Sequence, residues 1–534
     1  MKLLCNAKIY TLDADYPLAS SLLIDRDRIV AVDEKSSSRL LTESNFPEGI
    51  IQEKIDLEGR TVIPGLIDAH VHLQNYALGL QKINCETATR EECLSRVKAK
   101  AAQTPPGEWI YGHGWNQNVW DEGYGYAADL DKVAPRNPIY LTAKSLHAGW
   151  VNSLALNIIG INEHTPDPKD GRIGRDQDGK LNGLVFESAM ALIEDALPQP
   201  SIDYITNAIC DAQKELWRMG LTGLHDFDES DCFSALQLLD NRGDLKLRIM
   251  KSIPLHLLPE AIRLGLRPGF GNEYLFIGQV KAFADGALGP HTAAMFQPYE
   301  DDSSNLGMLM LTADEVFDHG KLAAQNGLAM AIHAIGDRAV HEVLNGFERL
   351  RRFEKSQNIK GLRHRIEHVQ LIDPQDSTRL AELDIIASMQ PFHVLSDLRM
   401  ADAYWGNRAK YSFAWQIQNK AGAILAFGSD APVESPNPFW GLYAAVTRRC
   451  FDGYPGAQGW YPEQRLNIMD ALKAFTFGAA FACGMENRIG KLAPGYFADL
   501  LVLDKDLFEC NPEEIKDIQP QATMVGGEWV YGGF

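Results

Sequence analysis

Short apolar runs alternate with amphipathic stretches along most of the chain. The runs end in turn residues, as buried strands do, and several of the intervening stretches have the spacing of helices. Strands separated by helices pair in parallel, because a crossover returns the chain to the same end of the sheet. We predict eight such strands, in segments 62–72, 221–227, 245–253, 275–285, 328–333, 363–369, 385–390 and 423–430.

Eight strand–helix units predict an α/β protein with a (β/α)₈ barrel of the TIM type over residues 61–484. Two regions depart from the alternation. Residues 1–60 and 485–534 contain short strands, and we expect them to combine into one small β-sandwich domain, since isolated strands cannot bury their apolar faces. Residues from about 85 to 200 are rich in tryptophan and glycine, and we expect an insertion that leaves the barrel after its first strand.

Two local signals indicate element ends. Thr312 and Gly327 are the expected N-cap and the residue past the end of a helix over 312–326. Segment 22–32 consists of two apolar runs around a charged turn, which predicts a hairpin.

Composition narrows the function classes. The 534 residues carry a net charge of −20, which argues against nucleic acid or an anionic membrane as a partner. The eight cysteines are scattered along the sequence, a spacing typical of reduced thiols. The amino terminus turns polar early and no apolar stretch is long enough to cross a bilayer. We expect a cytoplasmic protein that binds a small molecule; its oligomeric state stays open, and a homo-oligomer is compatible with the sequence.

Residues suited to metal binding lie where five of the predicted strands end. They are His70 and His72 (strand 1), Lys281 (strand 4), His333 (strand 5), His368 (strand 6) and Asp430 (strand 8). His-x-His in a strand projects both rings to one face, although the motif alone fits two solvent-facing histidines equally well. Because barrel strands end at one rim, these groups could together hold one or two divalent ions.

Lys281 and Asp430 have a chemical interpretation and a plain one. A buried lysine has a lowered pKa, and its neutral amine can add carbon dioxide to give a carbamate that bridges two metals; alone, a surface lysine is the simpler interpretation. Asp430 could take the proton of a metal-activated water, or cap a helix that begins at Ala431-Pro432.

Four further residues are candidate substrate contacts. Trp115 and Trp120 stand in an aromatic, amide-rich segment suited to enclosing a partly apolar substrate, or else they form the insertion's own core. Asp285 follows the fourth strand and His393 follows the seventh. The acidic net charge disfavours a strongly anionic substrate.

Several motifs resemble the metal-dependent amidohydrolase superfamily. They are segments 63–72 (IPGLIDAHVH), 366–368 (IEH), 428–432 (GSDAP) and 490–495 (GKLAPG). Segments 281–286, 332–338 and 388–391 are similar to its amidohydrolase-3 branch, which contains YtcJ-like and N-substituted formamide deformylase-like proteins.

The resemblance implies a site and an activity. It makes His70, His72, His333, His368 and Asp430 metal ligands, with a carboxylated Lys281 as the bridge in binuclear members, and zinc the expected metal. The implied reaction is hydrolysis of amide or N-substituted formamide-type C–N bonds by a metal-activated water, with Asp430 as proton shuttle. A deaminase or a lactone or ester hydrolase on the same barrel is the alternative; a non-catalytic regulatory protein is disfavoured because no ligand position is missing.

Overall fold

The computed structural model describes residues 1–33, 50–145 and 147–534. Its central sheet contains eight parallel strands in chain order. These barrel strands, numbered 1 to 8, are Leu66–Val71, Leu221–Asp226, Arg248–Pro254, Leu275–Phe283, Met330–Ala334, Arg365–His368, Ile386–Met389 and Leu425–Phe427. Segment 430–431 closes the sheet beside strand 1, because Asp430 N donates to His70 O (2.7 Å) and His72 N to Ala431 O (2.8 Å). The predicted α/β barrel is confirmed.

The barrel strands are almost entirely buried, as expected of a parallel sheet covered by helices. Thr312 caps the helix after strand 4 with a capping box to Glu315, as its sequence predicted. The helices are Leu73–Gln81, Arg90–Gln103, Ala127–Val133, Ser153–Ile159, Ala191–Glu194, Ile202–Arg218, Ser230–Arg242, Leu258–Leu264, Ala313–Gln325, Asp337–Ser356, Arg379–Glu382, His393–Trp405, Trp415–Ala421, Pro438–Thr447, Ile468–Lys473 and Ala479–Ala482.

Two more sheets are present, one built from amino-terminal strands alone and one from strands of both ends of the chain. One has four strands in the order Arg28–Val32, Leu22–Asp25, Lys2–Cys5 and Glu53–Asp56. The other has six, in the order Glu528–Tyr531, Pro520–Val525, Leu500–Leu503, Thr61–Pro64, Lys8–Tyr10 and Leu18–Ala19. One apolar core contains residues of both sheets, among them Leu4, Ile24, Val62 and Val502. The predicted hairpin over 22–32 is confirmed by its antiparallel pairing.

The contacts divide the chain into two compact units, Met1–Tyr76 with Ile209–Phe534, and Ala77–Ala208. The second unit has its own six-stranded sheet, in the order Gly171–Arg175, Leu181–Glu187, Ala148–Val151, Ile139–Ala143, Ile110–Trp115 and Ile83–Asn84. The domain boundaries drawn from the sequence stay a prediction. Within the described residues, no helix combines the length and the apolar character needed to cross a bilayer.

Candidate metal centre

Two histidines and an aspartate converge where strand 1 meets the end of strand 8. The Nε2 atoms of His70 and His72 each lie 3.5 Å from Oδ1 of Asp430. One ligand atom from each of the three residues lies within 4.8 Å of the others. Imidazole nitrogens and a carboxylate in this arrangement match the donor set of a divalent transition metal.

The histidines of strands 5 and 6 lie beside this group. The ring centroid of His368 is 4.5 Å from that of His333 and 5.0 Å from that of His70. Nδ1 of His368 is buried and has no hydrogen-bond partner among the described residues. A buried ring nitrogen without a partner is costly, so this atom is available to a ligand.

Left-handed backbone at two positions aims side chains into the centre. His368 has a φ of 74° and Asp430 a φ of 62°, a conformation that costs a non-glycine residue on the order of 1 kcal/mol. In a regular strand Glu367 and His368 would point to opposite faces. The turn at His368 instead lets both residues approach His70.

His70 and His72 each have a carboxylate within hydrogen-bond distance of the Nδ1 atom. Nδ1 of His70 lies 2.6 Å from Oε2 of Glu367, and Nδ1 of His72 lies 3.2 Å from Oδ1 of Asp228. A ring N–H that donates to a carboxylate places the proton on Nδ1 and leaves the lone pair of Nε2 free for a metal. Both histidines are therefore oriented as metal ligands, which supports the fit of the residues to a metal.

Buried hydrogen bonds hold these carboxylates in place. Nη2 of Arg365 donates to Oε2 of Glu367 at 2.9 Å and to Oγ of Ser388 at 2.8 Å. Oδ2 of Asp228 accepts the backbone N–H of Gln74 at 2.6 Å. Arg365 and Glu367 are both fully buried, so removing one of them would leave a buried charge without a partner.

Sequence reasoning missed Glu367, Arg365 and Asp228. Two signals were available: Arg365 and Glu367 are two residues apart and so share one face of strand 6, and Asp228 follows strand 2 at the same rim as His72.

Burial keeps most of the imidazoles neutral, the form that binds a metal. Burial lowers the pKa of His70 and His368 well below the usual value and that of His333 to about 3, and the charge of Lys281 adds to each. For His72, burial lowers the pKa, but the hydrogen bond and charge of Asp228 outweigh it and the net shift is upward. Burial also raises the pKa of Asp430.

Lys281 of strand 4 points into the same space. Its Nζ lies 3.4 Å from Nε2 of His70 and 4.5 and 4.8 Å from the ring centroids of Phe227 and Phe283. Within the described residues, no carboxylate forms an ion pair with it. Burial lowers the pKa of Lys281 to about 8, which leaves part of the amine neutral near pH 7.

Asp285 and His393, two of the candidate substrate contacts, differ from each other in their surroundings. Asp285 is buried and accepts backbone N–H bonds from Ala294 (2.9 Å), Ile335 (3.0 Å) and Gly336 (2.8 Å), so its carboxylate fixes the loops behind His333. His393 lies beside Asp430, with Nε2 3.9 Å from Oδ2 of that carboxylate.

The helix-cap alternative for Asp430 is wrong. No helix begins after it in the described chain until Pro438–Thr447, and Asn437 caps that helix. Ala431 pairs with Val71 instead, so the residue after Asp430 continues the sheet.

Trp115 and Trp120 lie in the core of the unit Ala77–Ala208. Their ring centroids are 6.3 Å apart, and Trp150 packs edge-on against both. Nε1 of Trp115 donates to Leu141 O at 2.9 Å and Nε1 of Trp120 to Thr87 O at 3.0 Å. These contacts are those of packing residues, and substrate binding by the two tryptophans stays a prediction.

A family model and two known proteins match this chain over most of its length. A sequence model of the amidohydrolase family matches residues 53–531. The chain is 32% identical to the putative amidohydrolase YtcJ of Bacillus subtilis (strain 168), over 93% of each protein. It is 27% identical to N-substituted formamide deformylase of Arthrobacter pascens, over 98% of this chain and 97% of that protein.

A solved structure also matches the fold of this chain. The crystal structure of an uncharacterized metal-dependent hydrolase from Pyrococcus furiosus has a TM-score of 0.77 and 27% identity, and the match covers 95% of this chain and 100% of that one. These matches span nearly the whole chain and confirm the resemblance drawn from its motifs. The chain belongs to the amidohydrolase family, in its amidohydrolase-3 branch.

Proposed function

We propose that the protein hydrolyses the C–N bond of a non-peptide amide of the N-substituted formamide type, releasing a carboxylic acid and an amine. The observation that carries the proposal is the convergence of His70 Nε2 and His72 Nε2 on Asp430 at the end of the barrel. The relative from Arthrobacter pascens acts, by its name, on N-substituted formamides, which supports this bond class. Zinc is the proposed metal, because imidazoles dominate the donor set.

His70, His72, His333, His368 and Asp430 would hold one or two divalent ions. A bound ion supplies a Lewis acid for the amide carbonyl and lowers the pKa of water. Asp430 takes the proton of the attacking water and returns it to the nitrogen of the leaving amine. Burial raises the pKa of Asp430, which favours proton uptake by this carboxylate.

Lys281 is proposed to carry a carbamate. The neutral amine at Nζ bonds to the carbon of carbon dioxide and releases one proton to give a carbamate. Counted from the ammonium form, two protons leave, and an anion replaces a buried cation beside His70. The absence of an ion-pair partner among the described residues supports this role. Lys281→Ala should lower metal content and turnover, with partial rescue by short carboxylic acids; full metal content and full turnover in that variant would refute the carbamate.

The experiment that tests the function is a substrate panel on metal-loaded protein. Formamides, acylated amines, lactones and aminated heterocycles are each incubated, and amine, acid or ammonia release is measured. Amine release from formamides that disappears in Asp430→Asn supports the proposal. Turnover confined to lactones or heterocycles, with intact formamides, would assign the barrel to ester hydrolysis or deamination instead.

A further inference from the structure

A cavity of about 780 Å³ opens beside the candidate metal centre. Its wall comes from the ends of strands 1 to 4 and from the helices Leu258–Leu264 and Ala313–Gln325. His72 and Lys281 form part of this wall, so the cavity and the metal centre share two side chains. A molecule whose reacting bond lies at the centre can therefore extend into the cavity.

Most of the cavity wall is apolar. Nine of its sixteen residues are phenylalanine, leucine, proline or alanine, so the surface available to a ligand is mainly carbon. Phe283 and Leu322 are 49% and 41% exposed, unlike the large apolar residues of the barrel core. Exposed large apolar side chains in a pocket beside a reactive centre are typical of a ligand surface.

The acidic residues of the wall disfavour an anionic ligand. Among the lining residues, all of them in the described chain, Lys281 is the only lysine or arginine, and it is buried against Phe227 and Phe283. Asp228 and Glu229 are the acidic members. A carboxylate or phosphate on the substrate would meet two carboxylates and no lysine or arginine other than Lys281.

The carboxylates offer little to a cationic ligand. Asp228 is 6% exposed and already accepts bonds from His72 and from the backbone N–H of Gln74. Glu229 lies 3.6 Å from His256, and both side chains are 65% exposed to water. Neither group forms a buried, unpaired anion of the kind that selects a cation.

We propose that this cavity holds the apolar substituent of an uncharged amide, so that the enzyme selects neutral substrates with an extended alkyl or aryl group. The inference rests on the proposed function and specifies its substrate class. Phe283 lines the wall beside Lys281, Leu311 is a further lining residue, and Leu322 lines the wall from the helix Ala313–Gln325.

The test compares three formamides that differ at one end. N-hexylformamide and N-(5-carboxypentyl)formamide have the same length and differ in terminal charge, and N-methylformamide lacks the chain. We expect kcat/KM for the hexyl compound to exceed that of each of the others by about 30-fold, since each buried methylene contributes and a desolvated carboxylate is penalised. Equal kcat/KM values across the three compounds would overturn the proposal.

Leu322→Lys separates the cavity from general effects. The new ammonium should raise KM for the hexyl compound about 10-fold and lower it for the carboxypentyl compound. Leu264→Lys is the matched control, because Leu264 ends the other helix of the wall, is 78% exposed and does not line the cavity. The same change in KM in both variants would contradict a role for the cavity.

Failure of the proposed function gives a different result. If metal-loaded protein hydrolyses none of the three compounds, the C–N activity fails, and binding of N-hexylformamide is then measured by ligand-observed NMR. Binding that persists in Leu264→Lys and is lost in Leu322→Lys supports the apolar cavity alone. No binding, or equal binding of the hexyl and carboxypentyl compounds, overturns it.

Discussion

The candidate metal centre and the tryptophan core are both buried clusters of rings, and they differ in how many of their polar groups have partners. At the metal centre, Nδ1 of His368 lacks a partner, Lys281 lacks an ion pair within the described chain, and two residues have left-handed backbone. In the unit Ala77–Ala208, the indole N–H groups of Trp115 and Trp120 both donate to backbone oxygens, although that of Trp150 has no partner.

The difference is the one expected between a reactive site and a packed core. Unpaired buried polar groups and strained backbone cost stability, and proteins concentrate them at functional sites. Packed, hydrogen-bonded indoles contribute stability instead. Mutations in the two clusters should therefore affect different measurements.

The largest effect is expected in the tryptophan core. Trp115→Ala should lower the free energy of unfolding of the unit Ala77–Ala208 by about 3–5 kcal/mol, because it removes a buried indole and leaves a cavity. Denaturant titration followed by tryptophan fluorescence measures it, with metal content expected to stay at the wild-type level. Unchanged stability together with a raised KM would instead make Trp115 a substrate contact.

The next effect is expected at Asp430. Asp430→Asn keeps the shape of the side chain and removes the base, so turnover should fall at least about 100-fold. Unfolding free energy should stay the same or rise, since a buried carboxylate is lost. Asp452→Asn, at an exposed carboxylate, is the control. Wild-type turnover in Asp430→Asn would exclude the proton-shuttle role.

A smaller effect is expected behind His72. Asp228→Asn removes the charge that orients the ring, and metal affinity should fall about 10–100-fold in chelator competition. The matched control is Asp376→Asn, because Asp376 also pairs with a histidine, Nδ1 of His341 at 2.9 Å, away from the centre. Equal losses of affinity in both variants would contradict an orienting role for Asp228.

The barrel, and the grouping of polar residues at one of its rims, could be predicted because both depend on local pattern. Apolar runs give the strands, and polar residues at their ends share one rim by topology. The supporting groups depend on tertiary pairing: Glu367 was not assigned to His70, which lies 297 residues away, and the turned backbone at His368 has no sequence signal. The dipeptide Ala431-Pro432 is typical of a helix start, but Ala431 pairs with Val71 and continues the barrel sheet instead.

For Trp115 and Trp120, the sequence does not decide between a ligand pocket and a core. An aromatic, glycine-rich segment has the composition of a ligand pocket and also that of a small core, because both need large apolar surfaces. The contacts of Trp115 with Leu141 O and Trp150 depend on strand pairing within the unit, which no local pattern encodes.

Metal content tests the central claim most directly. Elemental analysis of the purified protein, with His72→Ala as the matched variant, should give one to two divalent transition-metal ions per chain in the wild type and fewer in the variant. His72 is on the rim and its ring is part-exposed, so its removal should spare the fold. Less than one ion per wild-type chain, with no activation by added zinc, manganese or cobalt, would contradict the account.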